Sequence, residues 1–184
     1  MNALETLKNR VSTPRLSAPA PSGEILTNIK QAAMRAADHR MLRPWRFLVI
    51  EGGSRNKLGR LFAEAKAADS GPISAEEATN WANKTHRAPM IIVAIASCKE
   101  DEKVPEIEQI ISAGCCVQNM LNAAFVQGVG AVWRTGDFAY HATVRKGLGI
   151  DDHEKIVGYL YLGTPQGRQK PVPEIDTEQF FSNW

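Results

Sequence analysis

Basic side chains gather where a helix or strand is expected to end, and these are the residues best suited to chemistry. The stretch "HRMLRPWR" alone holds His39, Arg40, Arg43 and Arg46, with Trp45 among them. A guanidinium group binds phosphate through a fork of N–H donors, and serine hydroxyls and loop amides add further donors. This composition favours a site for an anion, while an aromatic residue after a proline and before a strand, as Trp45 is, is more often part of the core.

The same arrangement recurs at other points of the chain. Basic residues stand at the ends of predicted elements, with a hydroxyl near the first: Arg10 with Ser12, Arg35 with His39, Arg134 and Arg168. Any one of them is more often a solvated surface charge or a cation at a helix C-terminus. Taken together, they favour one anion site assembled from several loops.

Other chemistries lack their sequence signatures. "GVGAVW" (128–133) lacks a third glycine and precedes a strand instead of following one, so it is no dinucleotide-binding turn. The four histidines show no metal-ligand spacing, and no P-loop, GxSxG or HExxH motif occurs. The three cysteines form no CxxC pair, and Cys115 and Cys116 lie on an apolar segment. The sequence therefore predicts neither a metal site nor a catalytic nucleophile.

Charge and hydropathy narrow the class of protein. The 184 residues have a net charge of +2, but residues 1–60 hold 11 Lys or Arg against 4 Asp or Glu. This asymmetry indicates a local anion site near the N-terminal third. A nucleic-acid binder is disfavoured, because no helix carries several exposed basic residues for a groove. The longest apolar run, 90–98, is too short to cross a membrane, and the odd cysteine count without a signal peptide predicts a cytoplasmic protein.

Hydrophobic periodicity predicts alternating helices and strands. Ser22 is expected to cap one helix, and Ser74 with Glu77 fits a capping box before another. The predicted helices are 3–10, 23–37, 55–68, 75–86, 105–127 and 141–150, and the predicted strands are 46–51, 90–98, 128–133 and 155–165. After Ala113 the long helix is apolar or small nearly all round, so it lies either in a core or in a subunit interface. The tail 169–184 has too few contacts to fold alone.

Five stretches in order along the chain resemble a known family. They are "ALETLKNRVS", "MRAADHRMLRPWRFLVIEG", "SAGCCVQNML" with "QGVGAVWRTG", and "KIVGYLYLGTPQ", which together span about residues 3–168. Their order and spacing are similar to those of the nitroreductase family, in its compact subgroup of FMN-dependent NAD(P)H nitroreductases.

The resemblance implies an α+β fold, with a mixed central sheet flanked by helices in one domain over 1–184. It implies an interlocked homodimer, with the long helix in the interface and the tail of about 169–184 packed on the partner subunit. It further implies an enzyme in which NADH or NADPH reduces FMN, and FMN then reduces a nitroaromatic or quinone in a ping-pong mechanism. The chemistry would take place on the flavin N5, so no protein residue is expected to be catalytic.

The family's cofactor contacts carry over only where this sequence matches the motifs. The matching residues are Arg10, Val11, Ser12, Arg35, His39, Val132, Trp133, Arg134 and Arg168. Val11 stands where the family usually has a second arginine, and Arg43 stands where it usually has glutamine before Pro-Trp. One rival interpretation is a flavin-binding protein with a specialised substrate or no turnover.

Overall fold

The sheet is antiparallel throughout the part of the chain that the structure describes. The structure is a computed structural model, and it describes residues 2–184. Its strands are β1 (Leu16–Ser17), β2 (Trp45–Glu51), β3 (Met90–Ser97), β4 (Gly130–Arg134) and β5 (Glu154–Pro165). The order is β1-β5-β3-β2, and β4 also pairs with β5. The α+β class is confirmed. The mixed sheet implied by the resemblance is wrong for one protomer, because each described strand pair is antiparallel.

Strand β3 lies in the centre and is buried on both faces. Seven of its eight residues are buried. Because successive side chains point to opposite faces, Ile91, Val93 and Ile95 enter one core, and Met90, Ile92 and Ala94 enter the other. The continuous apolar run predicted this double burial, which requires helices on both sides of the sheet.

Seven α-helices surround the sheet within residues 2–184. They are α1 (Ala3–Asn9), α2 (Gly23–Ala33), α3 (Ser54–Ser70), α4 (Ala75–Ala82), α5 (Glu106–Val126), α6 (Asp137–Tyr140) and α7 (Ala142–Gly147). Six of them follow the predicted order, and the short α6 was not predicted. Helix α2 ends earlier than expected, because the amides of Met34, Arg35 and Ala36 bond to the carbonyl three residues back. A 3-10 turn, Asn83–Arg87, likewise replaces the end predicted for α4.

Local signals at the helix ends are partly confirmed. Ser74 and Glu77 form the expected capping box, and the Ser74 amide and hydroxyl lower the pKa of Glu77. Ser22 occupies the N-cap position of α2, but its side chain makes no capping hydrogen bond. Gly149 follows α7 with φ of +64°, a conformation that favours glycine.

Helix α5 is buried on one face only. Val117, Met120 and Leu121 pack in the core that α5 shares with α2 and the sheet, and Ala113 is also buried. Ile107 and Ile111 are about 60% exposed, and Val126 is half exposed. The buried face therefore accounts for most of the apolar character of α5, while these three residues leave an apolar surface on its solvent side.

The chain beyond β5 lies exposed on the protomer. From Pro165 to Trp184 each residue is exposed, including the aromatic side chains of Phe180, Phe181 and Trp184. Over residues 2–184, none of the helices combines the length and the apolar character needed to cross a membrane. The tail thus presents large apolar side chains that its own protomer does not cover.

Candidate functional site

The chain that follows α1 lies against strand β4. Arg10 leaves α1 in an extended conformation after its amide donates to the Thr6 carbonyl. Three residues later, the Thr13 amide donates to the Ala131 carbonyl of β4 at 2.8 Å. This hydrogen bond holds the segment of Arg10, Val11 and Ser12 close to the first residues of β4.

A cavity of about 430 Å³ adjoins this contact. We call it the Arg168 cavity; it is lined by Thr13, Phe125, Val126, Gly128, Val129, Gly130, Pro165, Gln166, Gly167, Arg168 and Gln169. Gly167 has φ of +74°, so the chain turns sharply beside Arg168. The structure thus places Arg168 across one cavity from the segment that carries Arg10 and Ser12.

Arg10 carries an unsatisfied donor. Its Nη1 atom is buried, and no hydrogen-bond partner for it exists among residues 2–184. A buried polar group without a partner is costly, and a charged one more so. The Ser12 side chain, two residues on, is exposed. An anion bound here would satisfy Arg10, so the residues present fit a phosphate group.

A second cavity, of about 260 Å³, lies at the other end of β4. Four cationic side chains border it: Lys66, Lys84, Arg87 and Arg134. Its remaining lining residues are Phe62, Trp81, Thr135, Asp137, Phe138, Tyr159 and Tyr161. We call it the cation cavity. Of its cations, only Arg134 was singled out from the sequence, because Lys66, Lys84 and Arg87 have the spacing of ordinary surface charges on helices.

The cations of this cavity are poorly compensated. Lys66 is 3.4 Å from an Asp137 carboxylate oxygen and 3.8 Å from one of Asp69. Lys84 sits 3.8 Å from the centroid of the Trp81 ring. Partial burial lowers the pKa of Lys84, and the neighbouring charges of Arg87, Lys66 and Arg134 lower it further.

Arg134, like Arg10, has a buried side-chain nitrogen without a hydrogen-bond partner in the described chain; this atom is Nε. The guanidinium carbon lies 5.5 Å from the Tyr161 ring centroid. Burial raises the pKa of Tyr161, so its hydroxyl stays protonated and offers Arg134 no countercharge. The geometry suits an anionic or electron-rich group of a flat molecule.

Val132 and Trp133, the other two predicted cofactor residues on β4, direct their side chains into the protein. Val132 packs in the core on the α3 side. The indole of Trp133 packs on the opposite face, where its Nε1 donates to the Val157 carbonyl at 3.3 Å. A Cβ on Gly158 would lie 2.2 Å from that nitrogen, so only glycine leaves room for the ring. Because both side chains are half-buried in these contacts, the main chain of Val132 and Trp133 is the part best placed to contact a ligand.

Arg35 and His39 lie apart from both cavities of β4. Arg35 lines a third cavity, of about 630 Å³, between α1, α2 and α5. His39 Nδ1 lies 3.2 Å from a Glu108 carboxylate oxygen at the start of α5. Neither side chain lines the Arg168 cavity or the cation cavity, so one protomer does not unite all nine predicted cofactor residues.

The loop that carries His39 is strained. Arg40, Met41 and Arg43 have φ of 61°, 54° and 47°, which is unfavourable for residues other than glycine. The Asp38 carboxylate accepts the Arg43 amide at 2.6 Å, and Lys99 Nζ donates to the Leu42 carbonyl. Strain held in this way is typical of functional sites.

Two of the cysteine thiols, those of Cys98 and Cys116, are unsuited to nucleophilic chemistry. Burial raises the pKa of Cys116 to about 12, and it also raises the pKa of Cys98. A thiol with a raised pKa supplies little thiolate near neutral pH. Cys98 and Cys115 are half-buried and Cys116 is buried, which are positions that suit small apolar side chains.

Comparisons with known proteins identify the family. Residues 7–164 match the model described as "Nitroreductase family". The protein of Escherichia coli strain K12 named "Putative NAD(P)H nitroreductase YdjA" is 47% identical over 167 residues, which cover 90% of each chain.

Solved structures agree on the fold. A nitroreductase-like family protein from Bacillus cereus superposes with a TM-score of 0.85 at 19% identity, covering 100% of this chain and 96% of the other. A mutant of the FMN and NADPH-dependent nitroreductase NfnB from "sphigopyxis sp. strain HMH" gives 0.78 at 19% identity, with 100% and 99% covered. The resemblance predicted from the five sequence stretches is confirmed, and the chain belongs to the nitroreductase family.

Proposed function

We propose that the protein is an FMN-dependent oxidoreductase that takes electrons from NADH or NADPH and passes them to nitroaromatics or quinones in a ping-pong mechanism. The observation that carries this proposal is that two of the four buried arginine nitrogens without a partner in the described chain, Arg10 Nη1 and Arg134 Nε, lie near the two ends of β4. The name of the E. coli relative and the cofactors named for NfnB support it.

The length of β4 between the two cavities suits FMN. Ala131, which accepts the Thr13 amide, and Arg134 are three residues apart on this strand, so about 10 Å separates them at about 3.3 Å per residue. We assign the phosphate to Arg10, Ser12 and Arg168, and the flat ring to the cation cavity with its aromatic walls. Arg35 and His39 stay predicted contacts, which would reach the cofactor from a partner subunit.

The residues of the chain bind and orient; they need not supply a nucleophile. FMN, when bound, supplies the atom that accepts a hydride and the route by which electrons leave. Arg134 and Lys84 place positive charge at the ring end, where reduction adds negative charge, and such preorganised charge favours the reduced form. The main chain of Val132 and Trp133 would hold the edge of the ring in place.

We also propose a homodimer. The apolar surface of α5 at Ile107 and Ile111, the exposed Leu4 and Leu7 of α1, and the uncovered tail together need a partner. A second copy of the chain would cover them and bring Arg35 and His39 to the other protomer's site. With three free cysteines, we further propose a reducing location, the cytoplasm.

The test of the cofactor is direct. The purified protein is expected to be yellow and to release FMN, not FAD, on heating, because the assigned residues hold one phosphate and no adenosine. Chromatography of the released cofactor identifies it. Absence of flavin after reconstitution would overturn the proposal. Flavin without oxidation of NADH or NADPH in the presence of a nitroaromatic would instead support the carrier interpretation.

The dimer is tested separately by light scattering. Ile111→Glu places a charge on the exposed side of α5 and is expected to give a protomer that binds FMN poorly. Met120 is unsuitable for this purpose, because it is buried in the protomer's own core. A wild-type mass near the 20.2 kDa of one chain, with flavin still bound, would contradict a site shared between subunits.

A further inference from the structure

We infer that Asp38 is a positioning residue for the cofactor: by holding the loop of residues 39–43, it keeps His39 in place to contact the flavin of the other protomer. This inference rests on the proposed function, in which His39 reaches the cofactor from a partner subunit. It follows from the backbone of the loop, from the contacts of Asp38 and from the surroundings of His39.

The loop 39–43 would not keep its conformation by itself. Arg40, Met41 and Arg43 all have φ between 47° and 61°, where the side chain of any residue except glycine crowds the main chain. Met41 is 77% exposed, so packing of its side chain does not offset this cost. The conformation must therefore be held by hydrogen bonds, either across the loop or from neighbouring segments.

Asp38 supplies the bonds across the loop. Its Oδ2 accepts the Arg43 amide at 2.6 Å, and its carbonyl accepts the Met41 amide at 3.3 Å. Two of the three residues with unfavourable φ are thus bonded to Asp38. Removal of the carboxylate would break the shorter of the two bonds and let the loop relax.

Lys99 holds the loop from outside. Its Nζ donates to the Leu42 carbonyl. The main chain of Lys99 is itself fixed by the buried side chain of Gln109, whose Oε1 accepts the Lys99 amide and whose Nε2 donates to the Lys99 carbonyl, both at 2.8 Å. The loop is therefore connected through Lys99 to helix α5, which gives it a fixed position on the protomer.

The held loop leaves His39 available to a ligand. Its Nδ1 lies 3.2 Å from a Glu108 carboxylate oxygen, and its side chain is 57% exposed. Within residues 2–184, no hydrogen bond engages its Nε2. The imidazole is thus oriented through one nitrogen, while the other is free to contact the cofactor.

The test is a double-mutant cycle in which the apoprotein is titrated with FMN. If the loop is in place for only part of the time, the apparent Kd rises in inverse proportion to that fraction. We expect Asp38→Ala to weaken FMN binding by roughly ten-fold, which corresponds to a loop in place about a tenth of the time. Because Asp38 acts through His39, the same change made in His39→Ala is expected to cause no further loss. A merely structural role of Asp38 would instead give the same loss in both backgrounds.

Two further variants support the cycle. Asp38→Asn keeps an oxygen that can accept the Arg43 amide, so it is expected to retain most of the affinity. Lys99→Met removes the bond to Leu42 and is expected to weaken FMN binding in the same direction as Asp38→Ala. The matched control is Asp152→Ala, which removes the same charge from an exposed turn before β5 and is expected to bind FMN as the wild type does.

Thermal unfolding and light scattering of each apoprotein verify its fold and its assembly. Unchanged affinity in Asp38→Ala or in His39→Ala, or equal losses from Asp38→Ala with and without His39, would overturn the inference. Dissociation of Asp38→Ala into protomers would also overturn it, since Asp38 would then act on the subunit interface. Failure of the wild type to bind FMN would count against the proposed function instead.

Discussion

Two arginines on strands of the same sheet have opposite surroundings. Arg46 on β2 donates to both carboxylate oxygens of Glu154, at 2.6 and 2.5 Å, and to the Gly149 carbonyl at 2.8 Å. Arg134 on β4 has a buried Nε without a partner in the described chain. The carboxylate of Glu154 thus neutralises Arg46 and joins β2 to β5. No carboxylate of the described residues forms a salt bridge with Arg134 at the candidate site.

The burial and the lowered pKa of Glu154 indicate that its ion pair with Arg46 is structural. Its side chain is only 3% exposed. The hydrogen bond from Arg46 lowers the pKa of Glu154 to about 2, although burial opposes the shift. A partnered arginine and an unpartnered one therefore predict different results on mutation: loss of stability in the first case and loss of ligand binding in the second.

The largest effect is expected from Glu154→Ala. It leaves Arg46 without its partner, and breaking a buried ion pair costs about 3 to 5 kcal/mol. Because Arg46 is about a third exposed, we expect the lower end of that range. Denaturant unfolding measures the loss, and Glu154→Gln, which keeps one acceptor and the volume, is the milder control. A loss under about 1 kcal/mol would place the pair among ordinary surface ion pairs.

Acid is expected to weaken the same pair. The pKa of Glu154 in the folded protein, about 2, is below its unfolded value of about 4.3. Its contribution is therefore fully present above about pH 4.3 and is lost as the pH falls toward 2. Across this window, the free energy of unfolding is expected to fall more steeply with decreasing pH for the wild type than for Glu154→Gln. Parallel curves would show that Glu154 does not carry the effect.

Arg10→Ala is expected to weaken FMN binding while it leaves the free protein's stability unchanged. Loss of one charge-assisted contact costs about 1.5 to 3 kcal/mol, which is roughly ten- to a hundred-fold in Kd. Titration of the apoprotein with FMN measures it. The control is Arg60→Ala, an exposed arginine of α3. Equal affinities in the two variants would remove Arg10 from the site.

The smallest effect is expected from Arg55→Ala, because Arg55 is intermediate between Arg46 and Arg134 in how well its nitrogens are partnered. It looks like a surface residue of α3 in the sequence, but it is half-buried, and its Nη1 donates to the Ala88 carbonyl at 2.9 Å. Its Nε, like that of Arg134, is buried without a partner in the described chain. Since that bond is within the protomer, Arg55→Ala is expected to lower stability by about 1 kcal/mol and to leave FMN affinity intact. Thermal unfolding and the same FMN titration distinguish the two effects. Weakened FMN binding without loss of stability would contradict the distinction.

The sequence predicted those features that depend on neighbouring residues. Strand β3, helix α5 and the Ser74 capping box follow from local apolar runs and spacing, and the structure has them. The two-residue strand β1 was missed, because Leu16–Ser17 is too short to show a period.

Contacts between residues far apart in the sequence could not be predicted from local patterns. Arg46 stood in one basic cluster with His39 and Arg43 in the sequence, and its partner, Glu154, lies 108 residues away. For the same reason Lys66, Lys84 and Arg87 were not connected with Arg134, because the cation cavity arises only when α3, the turn 83–87 and β4 pack together. The direction of the strand pairs also depends on such packing. The nine predicted cofactor contacts themselves stay predictions, which the FMN titrations test.

The clamped indole of Trp133 has a spectroscopic consequence. Its ring is fixed between the positions of Gly158 and Gly114, and its Nε1 is hydrogen-bonded, so it is a rigid fluorophore on the strand that would hold the flavin ring. Flavins absorb where tryptophan emits, and resonance energy transfer is efficient over such short distances. Emission from Trp133 is therefore expected to be quenched in the holoprotein and restored in the apoprotein. Trp45, Trp81 and the solvent-exposed Trp184 would add their own emission, so the change in intensity on flavin removal could follow cofactor occupancy without any added dye.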